Sequence, residues 1–97
     1  MVTKDDCINI FNAMIRGTPV SFIDELLPLY SEYLTENNFE NSDELVNLVV
    51  QNPQLIQQAI PNIVEYYCRK YNIFYLTNKA DLNSLFSNNF KPILYYE

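Results

Sequence analysis

NPQLIQQAIPNIVEYYCRKYN, residues 52–72, is the stretch that decides the fold. Asn52 suits a helix cap, and Pro53 suits the first helical position, where the missing N–H is no loss. Apolar residues then recur as Leu55/Ile56, Ala59/Ile60, Ile63/Val64 and Tyr67, with Tyr71 and Phe74 extending the row. That is helical spacing, and it leaves Gln54, Gln57, Gln58, Asn62, Glu65 and Arg69 on the opposite side. Pro61 conflicts with one unbroken helix: it has no N–H to donate and its ring clashes with the carbonyl of Gln57. The expectation is a kink, or two short helices with the second starting at Pro61. Glu65 and Arg69 are spaced to pair across one turn, for a few tenths of a kcal/mol.

A looser copy lies upstream, TPVSFIDELLPLYSEYLTENN at 18–38. Thr18 reads as its cap and Pro19 as its start, with Phe22/Ile23, Leu26/Leu27, Tyr30 and Tyr33/Leu34 as the buried stripe. Pro28 interrupts it as Pro61 interrupts the other, and both share an aliphatic-Pro-x-x-x-Glu-Tyr pattern. Equivalent positions lie about 33 to 39 residues apart, a helix-pair repeat length. The uneven spacing, in a chain rich in Asn, Leu, Ile and Tyr, favours an irregular bundle over a true repeat.

The other segments follow the same logic. Thr3 and Asp6 form a capping box for a first helix, with Cys7/Ile8, Phe11 and Met14/Ile15 inward and Gly17 as its stop. Asn37 to Asn41 is a polar turn. Ser42 caps a third helix whose Leu45, Val46, Leu48, Val49 and Val50 make it apolar nearly all round, so it is read as buried or as covering something. A further helix is expected over 79–86, with Leu82, Leu85 and Phe86 inward. Residues 90–97 read as an extended tail because of Pro92. That tail either pairs with 73–76, wraps the bundle, or docks on a partner. With one glycine the chain has little room for tight hairpins. The fold class is therefore all-α: one domain over 1–97, a compact bundle of about five short helices.

Several chemistries are disfavoured. The chain has no histidine, the commonest general base and zinc ligand. One glycine cannot build a phosphate-cradling loop. Cys7 and Cys68 lie on apolar stripes and read as buried thiols. The adjacent acidic pairs, such as Asp24/Glu25 and Asp43/Glu44, point about 100° apart on a helix, which makes poor acid–base dyads. The reading is non-enzymatic, with no cofactor and no metal. No leader and no membrane span is recognisable, so a cytoplasmic location is the default. The weight of residues with AT-rich codons, Asn, Ile, Tyr, Phe and Lys, points to an AT-rich genome such as that of a phage, a large DNA virus or a low-GC bacterium.

Charge supplies the functional expectation. Between Gly17 and Cys68 there is no Lys or Arg, while Asp24, Glu25, Glu32, Glu36, Glu40, Asp43, Glu44 and Glu65 all fall there, within a net charge of −6. Glu25, Glu32 and Glu36 are spaced to share one helix face. Such a face attracts a basic partner and repels nucleic acid. The expected contact surface is Asp24, Glu25, Glu32, Glu36, Glu40, Asp43 and Glu44, with Tyr33 beside them. The leading function is an adaptor or inhibitor that binds a basic protein. The alternatives are a viral antagonist that mimics nucleic acid, and an accessory subunit whose apolar tail docks on a partner or on a second copy.

Overall fold

A computed structural model describes residues 2–73 and 92–96 of the chain. Helix α1, Lys4–Arg16, begins as its capping box dictates. The Thr3 hydroxyl accepts from the Asp6 amide at 3.1 Å, and the Asp6 carboxylate accepts from the Thr3 amide at 3.0 Å. It ends at Gly17, whose φ of 74° is the left-handed cap that glycine adopts without a Cβ penalty. Cys7, Ile10, Phe11 and Met14 are its buried row.

The next segment departs from expectation at its start. Thr18 and Pro19 do not open a helix. The chain stays extended through β1, Val20–Ser21, and Ser21 is the cap, accepting from the Asp24 amide at 3.1 Å. The first turn, Phe22–Leu26, is a π-helix, in which the Leu27 amide donates to the Phe22 carbonyl five residues back. It runs directly into α2, Leu27–Glu36. Pro28 thus follows a wide turn without breaking the helix. The wide turn rotates Ile23 away from Leu26, so Ile23 is exposed, and Leu29 joins Phe22, Leu26, Tyr30 and Leu34 in the core.

Helix α3, Ser42–Gln51, begins one residue earlier than a Ser42 cap requires. Asn41 holds the cap position, without a side-chain bond. Its apolar residues were expected to be covered, yet only Val49 is buried; Leu48 is 51% and Val50 44% exposed. The length of ten residues and its place at the edge of α2 allow one covered face, not two.

The stretch at 52–72 divides in two, as Pro61 demands. Pro53–Gln58 is a 3-10 segment, and α4, Ile60–Tyr71, starts with Pro61 in its first turn. Asn52 precedes the first of these but makes no side-chain cap. Ile60, Ile63, Val64 and Tyr67 are buried, and α4 ends at Asn72 in the left-handed conformation. The Glu65–Arg69 pair forms at 2.7 Å, largely exposed.

The described part of the tail, 92–96, holds a short extended strand that pairs with β1. β2, Leu94–Tyr95, runs parallel to β1, with Val20 opposite Leu94 and Ser21 opposite Tyr95. The Val20 amide donates to the Ile93 carbonyl at 2.9 Å, and the Tyr96 ring lies 5.3 Å from that of Phe22. The extended entry to the π-turn, unforeseen in the sequence, is what offers the tail an edge. The helix expected at 79–86, and residues 74–76, lie outside the described residues.

The core joins all these elements around Phe11, Met14, Val20, Phe22, Leu26, Leu29, Ile56, Ile60, Ile63 and Tyr67. Side chains of this size each stabilise the fold by about 1.5–3 kcal/mol when buried. Two tyrosine hydroxyls pin α4: Tyr67 reaches the Leu29 carbonyl at 3.0 Å, and Tyr71 donates to the Val2 carbonyl at 2.8 Å. Among the described residues the fold is all-helical apart from the two-residue pairing. Aligned on Pro28 and Pro61, the two copies bury only Tyr30/Ile63 and Leu34/Tyr67 in common, and their local geometry differs, since one carries a π-turn and the other a 3-10 segment.

Candidate functional site: an acidic groove between the first and second helices

A groove of about 730 Å³ runs between α1 and the π-turn with α2. Its apolar lining comes from Val2, Ile10, Pro28 and Leu29. Asp6, Asp24, Glu25, Glu32 and Glu36 bring carboxylates, and Asn9, Ser31 and Thr35 add neutral polar groups. Among the described residues no Lys or Arg lines it. Carboxylates around a low-dielectric wall reinforce one another's field, because solvent screens them less there than on a convex surface.

Each carboxylate is positioned by a specific local device. Asp6 is held by the Thr3 amide in the capping box of α1. Glu25 folds back to accept from the Ser21 amide at 3.0 Å. Glu32 accepts from the Tyr67 hydroxyl at 2.8 Å. Glu36 pairs with Lys70 at 2.6 Å and accepts from the Tyr66 hydroxyl. Glu32 and Glu36 therefore form two rungs joining α2 to α4 while also bordering the groove. The bond to Glu36 raises the Lys70 pKa, which keeps that ammonium charged. Burial, then the bond to Glu32, pushes the Tyr67 hydroxyl well above its ordinary value.

Four of the expected contact residues, Asp24, Glu25, Glu32 and Glu36, thus meet in one groove. Three do not line it: Glu40 is in the turn after α2, and Asp43 and Glu44 open α3, all exposed. Tyr33 is half-buried in a row of rings. Its centroid lies 6.0 Å from Phe39 and 5.5 Å from Tyr66, and the row continues through Tyr67 to Tyr71. Asp6 is the groove residue that charge counting missed, because Lys4 and Arg16 balance its segment in sequence. The Thr3–Asp6 spacing marked a helix start, but only tertiary packing sets α1 against α2.

Burial raises Cys7 to about 12, with the Asp6 charge adding to it, and burial raises Cys68 to about 11. Both thiols are protonated at neutral pH and poor nucleophiles. Among the described residues no group of three or more His, Cys, Asp or Glu is disposed to hold a metal ion. No described helix is long and apolar enough to cross a membrane. No protein-family model, curated protein or solved structure matches the chain.

Proposed function

We propose that this chain is a non-enzymatic interaction domain that holds a basic partner protein in the groove between α1 and α2, acting as an adaptor or inhibitor. The observation that carries the reading is the convergence of five carboxylates on an apolar-floored groove, with no cation among its described lining residues. A lysine- or arginine-bearing segment fits both features, because its methylene stem packs on the apolar floor while its charged head meets the rim. The absence of histidine and the protonated thiols favour binding over catalysis. Nucleic-acid mimicry is the narrower alternative. It is weakened by the engagement of Glu32 and Glu36 with α4, since a mimic presents its carboxylates unpaired along the surface.

The test is capture of the partner on immobilised protein at low and at high salt, alongside the triple variant Glu25→Gln, Glu32→Gln, Glu36→Gln. Glutamine keeps an oxygen acceptor at each position and removes the charge. A partner lost at high salt and by the triple variant supports the reading. A partner retained in the triple variant refutes it.

A further inference from the structure

Two side-chain-capped helix starts among the described residues differ by one residue. In α1 the Thr3 amide is accepted by Asp6, three residues on. In the π-turn the Ser21 amide is accepted by Glu25, four residues on. Both caps also accept with their own hydroxyl from the amide three residues on. The second start therefore contains one extra residue, and the wide turn at Phe22–Leu26 holds it.

Pro28 explains the extra residue. An α-helical turn ending at Pro28 sets its ring against the Asp24 carbonyl and leaves that carbonyl without a donor. Widening the preceding turn, with Leu27 donating to Phe22, moves the Asp24 carbonyl out of the ring's path. Pro61 does no such thing to α4, because it stands in that helix's first turn, after a 3-10 segment rather than a continuous α-helical one. Both acidic residues of the π-turn, Asp24 and Glu25, line the groove.

We propose that Pro28 is a positioning residue: it holds the π-turn open and thereby aims Asp24 and Glu25 into the groove. The functional half of this claim rests on the groove binding a basic partner; the structural half does not. With an N–H restored at position 28, the turn closes to an α-helix. Leu27 then donates to Ile23, Asp24 replaces Glu25 on the Ser21 amide as Asp6 serves Thr3, and both side chains rotate relative to α1.

The experiment is the structure of Pro28→Ala, by crystallography or by NMR through-hydrogen-bond couplings, with Pro28→Ser as a second N–H-restoring variant. An oligolysine peptide is titrated in parallel into the unaltered protein, Pro28→Ala and Pro61→Ala. The expected result is a Ser21–Asp24 bond in place of Ser21–Glu25, and oligolysine affinity reduced about fivefold in Pro28→Ala, with Pro61→Ala unchanged. Retention of the Leu27–Phe22 bond in both Pro28 variants overturns the proposal. So does a closed turn that leaves oligolysine affinity unaltered. Failure of oligolysine to bind the unaltered protein overturns the groove reading instead, while the variant structures still decide what Pro28 does.

Discussion

The buried hydroxyl of Tyr67 donates to the Glu32 carboxylate at 2.8 Å and sits 3.0 Å from the Leu29 carbonyl, joining α4 to α2 across 35 positions of sequence. Tyr67 has no exposed surface. Its hydroxyl is therefore satisfied by the protein rather than by water. Tyr67→Phe removes the donor and leaves Glu32 half-covered with one partner fewer. The expected loss is about 1.5–3 kcal/mol, read as a lower urea midpoint with unchanged slope. Glu32→Gln keeps an acceptor for the hydroxyl and costs less than Tyr67→Phe.

The second rung behaves differently. Lys70 and Glu36 are each about a third exposed, so the pair contributes little, about 0.5 kcal/mol. Lys70→Gln is accordingly nearly neutral for stability. It also unmasks one groove carboxylate, so oligolysine binding, measured by calorimetry at low salt, is expected to strengthen by about twofold. A weakened interaction places the cationic partner elsewhere.

The tail is part of the folded structure as well as its surface. Val20 and Phe22 are buried, and Pro92 to Tyr96 cover them. Truncation after Lys91 exposes both side chains and deprives the Val20 amide of the Ile93 carbonyl. The expected cost is about 2–4 kcal/mol, seen as a lower melting temperature. A truncated protein with unchanged melting temperature makes the tail an appendage.

Gly17 is the one glycine, and its φ of 74° is its reason. Space around it is open, so a Cβ meets nothing within 4 Å. Gly17→Ala therefore isolates the backbone cost of the left-handed cap, about 1 kcal/mol by thermal or urea unfolding.

Base should unfold the protein. Burial raises Cys7 to about 12 and Cys68 to about 11, while Tyr67 and Lys70 are also raised, by burial and by the bond to Glu36 respectively. In each case the folded state prefers the protonated form. Their contribution is fully present below the ordinary values of 9.0 for Cys, 10.0 for Tyr and 10.5 for Lys. It is lost as pH rises through the folded values. The urea midpoint should fall from about pH 9 up to about pH 12, and Cys7→Ala should reduce the fall.

Local signals in the sequence carried most of the helix boundaries. The Thr3–Asp6 box, Gly17 and Pro61 act within one turn, so their geometry follows from residue type. The π-turn did not show, because Pro28 permits a break, a kink or a widened turn, and the choice depends on the Ser21 cap and the core beneath Phe22. Nor did the partner of the tail, a pairing between residues more than seventy positions apart. In the groove, Asp24, Glu25, Glu32 and Glu36 were legible as a spaced acidic face. Asp6 was not, because α1 meets α2 only in the folded chain. Glu40, Asp43 and Glu44 carry the same charge but lie beyond the turn that ends α2.

The central claim is that the groove, and not the acidic surface at large, receives the basic partner. Titration of oligolysine into isotope-labelled protein, followed by amide chemical shifts, tests it most directly. The account predicts that the largest shifts fall on Asp6, Asn9, Asp24, Glu25, Ser31 and Glu32, and that the Glu25→Gln, Glu32→Gln, Glu36→Gln variant loses them. Shifts centred on Glu40, Asp43 and Glu44, or spread evenly over every exposed carboxylate, would contradict it.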